Sequence, residues 1–191
     1  MKLLYTLPFF VLALTACSGP AAQNEFVTNI MPLCGHSYAG AVVSTDAVDE
    51  DWRNKKIIIG PIVCSVADIR MPLAVGENTS RTWVLIPQKR TLTLKHDHRH
   101  NDGTPDAVSW YGGTTRTDGS AKRQEFPVDD FSIVLFTKEG LSASVVNTWA
   151  MEIEPGETFT YELSRPTTPK QAAAGEPGRL FRIEFDISKP L

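Results

Sequence analysis

An all-β domain, and within that class an antiparallel barrel, is what this sequence predicts. Three observations carry the prediction. Apolar residues alternate with polar ones in one short run after another, turn signals containing Gly punctuate those runs, and only one short stretch near the N-terminus has helical spacing. The alternation is clearest where Phe181, Ile183, Phe185 and Ile187 interleave with Arg182, Glu184, Asp186 and Ser188, so one face is buried and the other wet.

In chain order, Phe26, Ile30 and Leu33 share a helical face and predict one or two turns over residues 25–33, ended near Pro32 and Gly35. Strands are predicted at residues 38–44, 55–60, 62–71, 82–86, 90–100, 108–114, 125–128 and 131–136. Two more follow, Trp149, Met151 and Ile153 in one, Phe159, Tyr161 and Leu163 in the next, with Pro155-Gly156 as the turn between them. Further punctuation stands at Gly76-Glu77-Asn78, Asp102-Gly103, Asp118-Gly119 and Glu139-Gly140. Residues 165–178, rich in Pro, Ala and Thr, read as a flexible loop before the last strand.

The composition is that of one globular domain: 42% hydrophobic and 21% charged, with a net charge of -3. An acidic chain is a poor partner for phosphate backbones, which excludes nucleic acid as the first expectation.

Residues 1–16 carry one Lys, then an apolar run too short to span a bilayer, then small residues, which is the pattern of a secretory signal peptide. Leu14-Thr15-Ala16-Cys17 resembles the lipobox of bacterial lipoproteins. The resemblance implies cleavage before Cys17 and attachment of palmitate-type acyl chains to that cysteine, which holds the protein at the membrane. Ser18, not being Asp, implies delivery to the outer membrane, in contact with the periplasm or the cell exterior. Residues 17–24 then form a lipidated tether and residues 25–191 a single β domain. With Cys17 consumed by lipid, Cys34 and Cys64 remain as an even pair in an oxidising compartment, where a disulfide is expected.

The segment Leu33-Cys34-Gly35-His36-Ser37-Tyr38-Ala39-Gly40 resembles the opening of lipocalin-like and related calycin barrels, in which a helical turn leads through Gly into a first strand bearing an aromatic. The Trp typical of that position is absent, and Tyr38 lies nearby instead. The resemblance implies a closed barrel with an internal ligand cavity; a β-sandwich is the alternative.

Three of the four histidines, His96, His98 and His100, fall in one predicted strand. Residues two apart share a strand face, so the three imidazoles are expected in a row able to hold a divalent transition metal, with His36 as a fourth ligand from the first strand. The other two expectations for this stretch are hydrogen-bonded histidines without metal, and an anionic ligand held by Lys89, Arg90, Lys95 and Arg99. Candidate ligand-binding residues are therefore His36, His98, Arg99, Trp110 and Tyr111, the aromatic pair offering a stacking surface.

Stricter motifs fail. His98-x-His100-x-Asp102 begins like the metallo-β-lactamase signature, but Gly103 replaces the closing His and no later histidine exists. Asp102-Gly103-Thr104-Pro105-Asp106 has too few carboxylates for a calcium loop and reads as a hairpin turn. No G-x-S-x-G elbow is present. Asp129-Asp130 and Asp49-Glu50-Asp51 read as solvated turns rather than catalytic pairs. The sequence thus predicts a non-enzymatic lipoprotein binding a small molecule or an envelope protein; the alternative is a metal-binding protein, with hydrolysis as the activity such a metal would serve.

Overall fold

The computed structural model describes residues 21–175 and 178–191. The predicted signal peptide, the lipobox-like segment and Cys17 lie outside the described residues. Strands β1 (Tyr38–Val42), β2 (Ile57–Ile59), β3 (Val63–Cys64), β4 (Ile69–Val75), β5 (Asn78–Pro87), β6 (Leu92–His98), β7 (Tyr111–Thr114), β8 (Arg123–Pro127), β9 (Thr148–Glu154), β10 (Thr158–Arg165) and β11 (Arg179–Asp186) form one antiparallel sheet. Its order is β7-β6-β5-β4-β2-β1-β11-β10-β9-β8, with β3 added to β4. Read as a circle, that order is the chain order, apart from the β1–β11 pair that joins the first strand to the last described one. The predicted all-β barrel is thus the observed architecture.

Closure between β7 and β8 is incomplete, and glycine makes it possible at all. A single bridge, Gly113 to Val128, crosses the seam. A Cβ on Gly113 would lie 2.2 Å from the Pro127 carbonyl oxygen, so only a residue without a side chain lets β7 meet β8 there; on the other side of β7, one on Gly112 would lie 1.8 Å from the Leu94 carbonyl oxygen of β6. Helix α3 (Asp130–Lys138) completes the seam. The Gly112 amide donates to Ser132 Oγ at 2.7 Å, Ser132 donates to Asp129 Oδ1 at 2.7 Å, and Lys95 Nζ reaches Asp129 Oδ2 at 2.5 Å.

Two predicted features are corrected here. Residues 131–136 form part of α3, not a strand: a short apolar run fits either period, and the Asp129 side chain decides by accepting the Ser132 amide at 2.9 Å as N-cap. Gly140, at φ 73°, ends the helix. Asp129 is therefore a capping residue and not a solvated turn. Asp49 differs likewise, being 5% exposed and paired with Arg179, which also binds Asp46 at 2.7 Å.

Boundaries shift elsewhere for local reasons. The predicted run 62–71 divides into β3 and β4 because Ser65 and Asp68 close a turn through backbone and side chain. Helix α1 (Ala22–Ile30) begins inside the predicted tether and continues into a 3-10 turn at Met31–Leu33. Two short helices, α2 (Glu50–Arg53) and α4 (Pro169–Ala173), interrupt predicted loops, the latter through a capping box of Thr168 and Gln171. The turns at Gly76, Gly103, Gly119 and Gly156 all have the positive φ that their Gly residues were expected to supply.

The barrel has one filled end and one open one. At the filled end Phe26, Ile30 and Leu33 join the core made by Ile69, Ile153, Phe159 and Phe185. Helix α1 is fastened there through Gln23 to the Thr117 carbonyl and Asn29 to the Ala121 carbonyl. A disulfide joins Cys34, just before β1, to Cys64 in β3, as predicted. On the chain-entropy account, closing such a loop stabilises the fold by roughly 3 to 4 kcal/mol.

Candidate functional site

Alternation along the strands decides which side chains enter the open end. Trp83 of β5 stands opposite His96 of β6, and Arg81 opposite His98; Tyr111 of β7 is the next neighbour of His96. From the other half of the sheet come Trp149 of β9, Tyr161, Leu163 and Arg165 of β10, and Phe181 of β11. Together with Trp52 of α2 and Phe136 of α3 they enclose a cavity of about 280 Å³.

Two parallel ring stacks form its floor. His96 lies on Tyr111, centroids 4.5 Å apart and planes 9° apart; Trp83 lies on Tyr161 at 4.0 Å and 8°. A hydrogen bond joins the stacks, His96 Nε2 to Tyr161 Oη at 2.8 Å. The other ring nitrogen, Nδ1, faces the Tyr111 carbonyl at 3.2 Å. A carbonyl only accepts, so Nδ1 carries the proton, and Nε2 accepts the tyrosine hydroxyl.

Burial makes that tautomer permanent near neutrality. Desolvation pushes the His96 pKa down to about 3 at a site 2% exposed, and lifts the Tyr161 phenol well above its ordinary value. His98 is lowered to about 4, by burial first and by the Arg81 guanidinium second. Tyr111 rises to about 12, again through burial. The cavity therefore holds two neutral imidazoles and two neutral phenols.

Among the described residues that line it, the only formal charges are positive. Arg81 lies with its guanidinium carbon 5.2 Å from the centroid of the Trp52 ring. Arg165 donates from Nε to Asn147 Oδ1 at 2.5 Å and from Nη2 to Ser144 Oγ at 3.3 Å. No Asp or Glu is among the lining residues. A second cavity, about 1020 Å³, adjoins through Arg165 and is walled by Val48, Val146 and Pro166.

Of the predicted residues, His96, His98 and Tyr111 meet in the cavity. His100 does not join them: β6 ends at His98, and the chain folds back where the Gly103 amide donates to the His100 carbonyl. The row of three imidazoles is thus a pair. Among the described residues no group of three or more His, Cys, Asp and Glu is arranged to hold a metal ion. His36 stands just before β1, which runs from the filled end, where Gly40 pairs with Phe185 of β11, and it is not among the residues that line the cavity.

The predicted basic cluster is also dispersed. Lys95 alternates with His96, so it points outward to Asp129, while Lys89 and Arg90 sit in the exposed turn between β5 and β6. Arg99 binds Asp97 and the Gly103 carbonyl and lies in a polar depression that shares Arg81 and His98 with the cavity. Trp110 is 37% exposed and outside the cavity lining; its left-handed backbone, φ 63°, turns the chain so that Tyr111 enters instead.

Arg81, Trp83, Trp149, Tyr161 and Arg165 were not anticipated as site residues. A signal for the arginines exists in the sequence: each stands two residues from an apolar residue on the inward face of its strand, Arg81 before Trp83 and Arg165 after Leu163. No protein family, curated protein or solved structure matches this chain.

Proposed function

We propose that this chain is a lipid-anchored protein of the bacterial cell envelope, attached through Cys17 and facing the periplasm or exterior from the outer membrane, that binds a small flat ligand in the mouth of its barrel. The observation that carries the reading is the cavity itself, because apolar walls with a few convergent polar groups are what small-molecule sites are built from. Stacked aromatic rings favour a flat, apolar ligand body. The lipobox resemblance and the signal-peptide pattern support the address. Binding without catalysis is the reading we adopt, since the cavity presents neutral rings and cations.

Native mass spectrometry of the protein from its own host, with an elemental metal assay, tests the ligand. A releasable organic adduct is the expected result. A stoichiometric metal lost on His98→Ala would overturn it in favour of a metal site, and a bare mass would favour a protein partner. Fractionation tests the address: a Cys17→Ser variant should leave the membrane pool, and its persistence there would contradict lipid anchoring.

A further inference from the structure

We infer that the ligand is an anion, a flat apolar body bearing a carboxylate, held head-outward by the guanidinium groups of Arg81 and Arg165 with its body against the two ring stacks. The inference rests on the cavity reading above and adds the charge and orientation of what is bound.

The two arginines differ from others on this sheet. Arg70, Arg123, Arg179 and Arg182 each form a salt bridge with a carboxylate. Among the described residues neither Arg81 nor Arg165 does, although both line a partly enclosed cavity where an unpaired cation is costly. Arg165 also feels the like charge of Arg179. The field of Arg81 reaches inward: after burial it is the next cause that lowers His98, and it offsets part of the burial that raises Tyr111, while Asp106, across the adjoining depression, acts on both in the opposite sense without pairing with Arg81.

A carboxylate resolves this arrangement better than a neutral ligand. The guanidinium fork matches the two carboxylate oxygens, giving short, charge-assisted hydrogen bonds. The Trp52 ring below Arg81 keeps that fork in place without neutralising it. Deeper in the cavity the polar atoms of His96 and Tyr161 are already satisfied by one another, so the floor asks for an apolar face. Cations at the rim and aromatic rings below thus fix one orientation.

Isothermal titration calorimetry with 2-naphthoate and its neutral isostere 2-naphthamide tests this, using the full lipidated chain in lipid nanodiscs with empty nanodiscs as blank. Naphthoate should bind about tenfold or more tightly than naphthamide, and Arg81→Gln should remove most of that gap, lowering naphthoate affinity several-fold more than naphthamide affinity. Raising NaCl should weaken naphthoate alone. Should Arg81→Gln not fold, Arg81→Lys and the salt series of the wild-type chain decide. Equal, salt-independent binding of both probes overturns the anion inference and leaves the cavity reading standing. Failure of both probes to bind overturns the two together, and an affinity gap that survives Arg81→Gln removes Arg81 from the proposal.

Discussion

His96 shows how much of this site rests on a single buried residue. Its Nε2 has one partner, the Tyr161 hydroxyl, so Tyr161→Phe leaves a buried acceptor unsatisfied and should cost about 1–3 kcal/mol in urea unfolding. The same burial makes the protein acid-sensitive. The unfolded chain binds a proton on this histidine near pH 6.5, whereas the folded one resists until about pH 3. Stability is therefore fully present above the unfolded value and falls as pH drops between the two, on the order of 1 kcal/mol per pH unit. The urea midpoint should shift clearly downward from pH 7 to pH 5 and shift less in a His96→Gln variant; equal shifts would assign the sensitivity elsewhere. His98, lowered in the same direction, adds to it. At this scale the sequence was half legible. Histidine density marked His96 and His98, and alternation turns Lys95 to the other face, but nothing local says that Arg81, fifteen residues before His96, faces in toward the same cavity.

Seams between elements, more than the elements themselves, were hard to foresee. Strands with strict alternation, such as β9, β10 and β11, came out within a residue or two of expectation because one face of each is core. Helix α3 was missed because its apolar run has no clear period, and the deciding contact, Asp129 capping Ser132, also ties the helix to Lys95 on β6. Burial alone would raise the Asp129 carboxyl; the hydrogen bonds from Lys95 and Ser132 outweigh it and hold the group below its ordinary value. Removing this side chain with Asp129→Ala strips the helix of its cap, at a cost of about 1–2 kcal/mol in thermal or urea unfolding. Gly113→Ala should be worse, above roughly 3 kcal/mol, because the added Cβ meets backbone that cannot yield without opening the seam. A Gly113→Ala variant as stable as the parent would mean that β7 and β8 are not held together in solution.

For the whole molecule, sequential strand order was the most legible property, since each hairpin follows from local turn chemistry. Closure was not, because it depends on β1 meeting β11 across more than a hundred residues and on Gly113 meeting the β8 backbone across the seam. The wet face gives the sheet a long-range brace: Arg123 and Arg182 each pair with both Glu152 and Glu162, crossing β8 to β11. Beyond the sheet, the Leu191 amide donates to the Ser37 carbonyl beside the start of β1, so the two extremities of the barrel are sewn to each other. That junction bears on timing. While β11 is still being synthesised, β1 and β10 are bare edges, and the sheet has no way to roll shut. A chain that must cross the inner membrane, as the proposed envelope address requires, would thus stay threadable through a translocation pore until β11 arrives. Deleting residues 179–191 should leave an exported protein that aggregates or is degraded, read by its loss from the soluble and membrane fractions alike; a stable, monomeric truncation would show that the barrel does not need its last strand to fold.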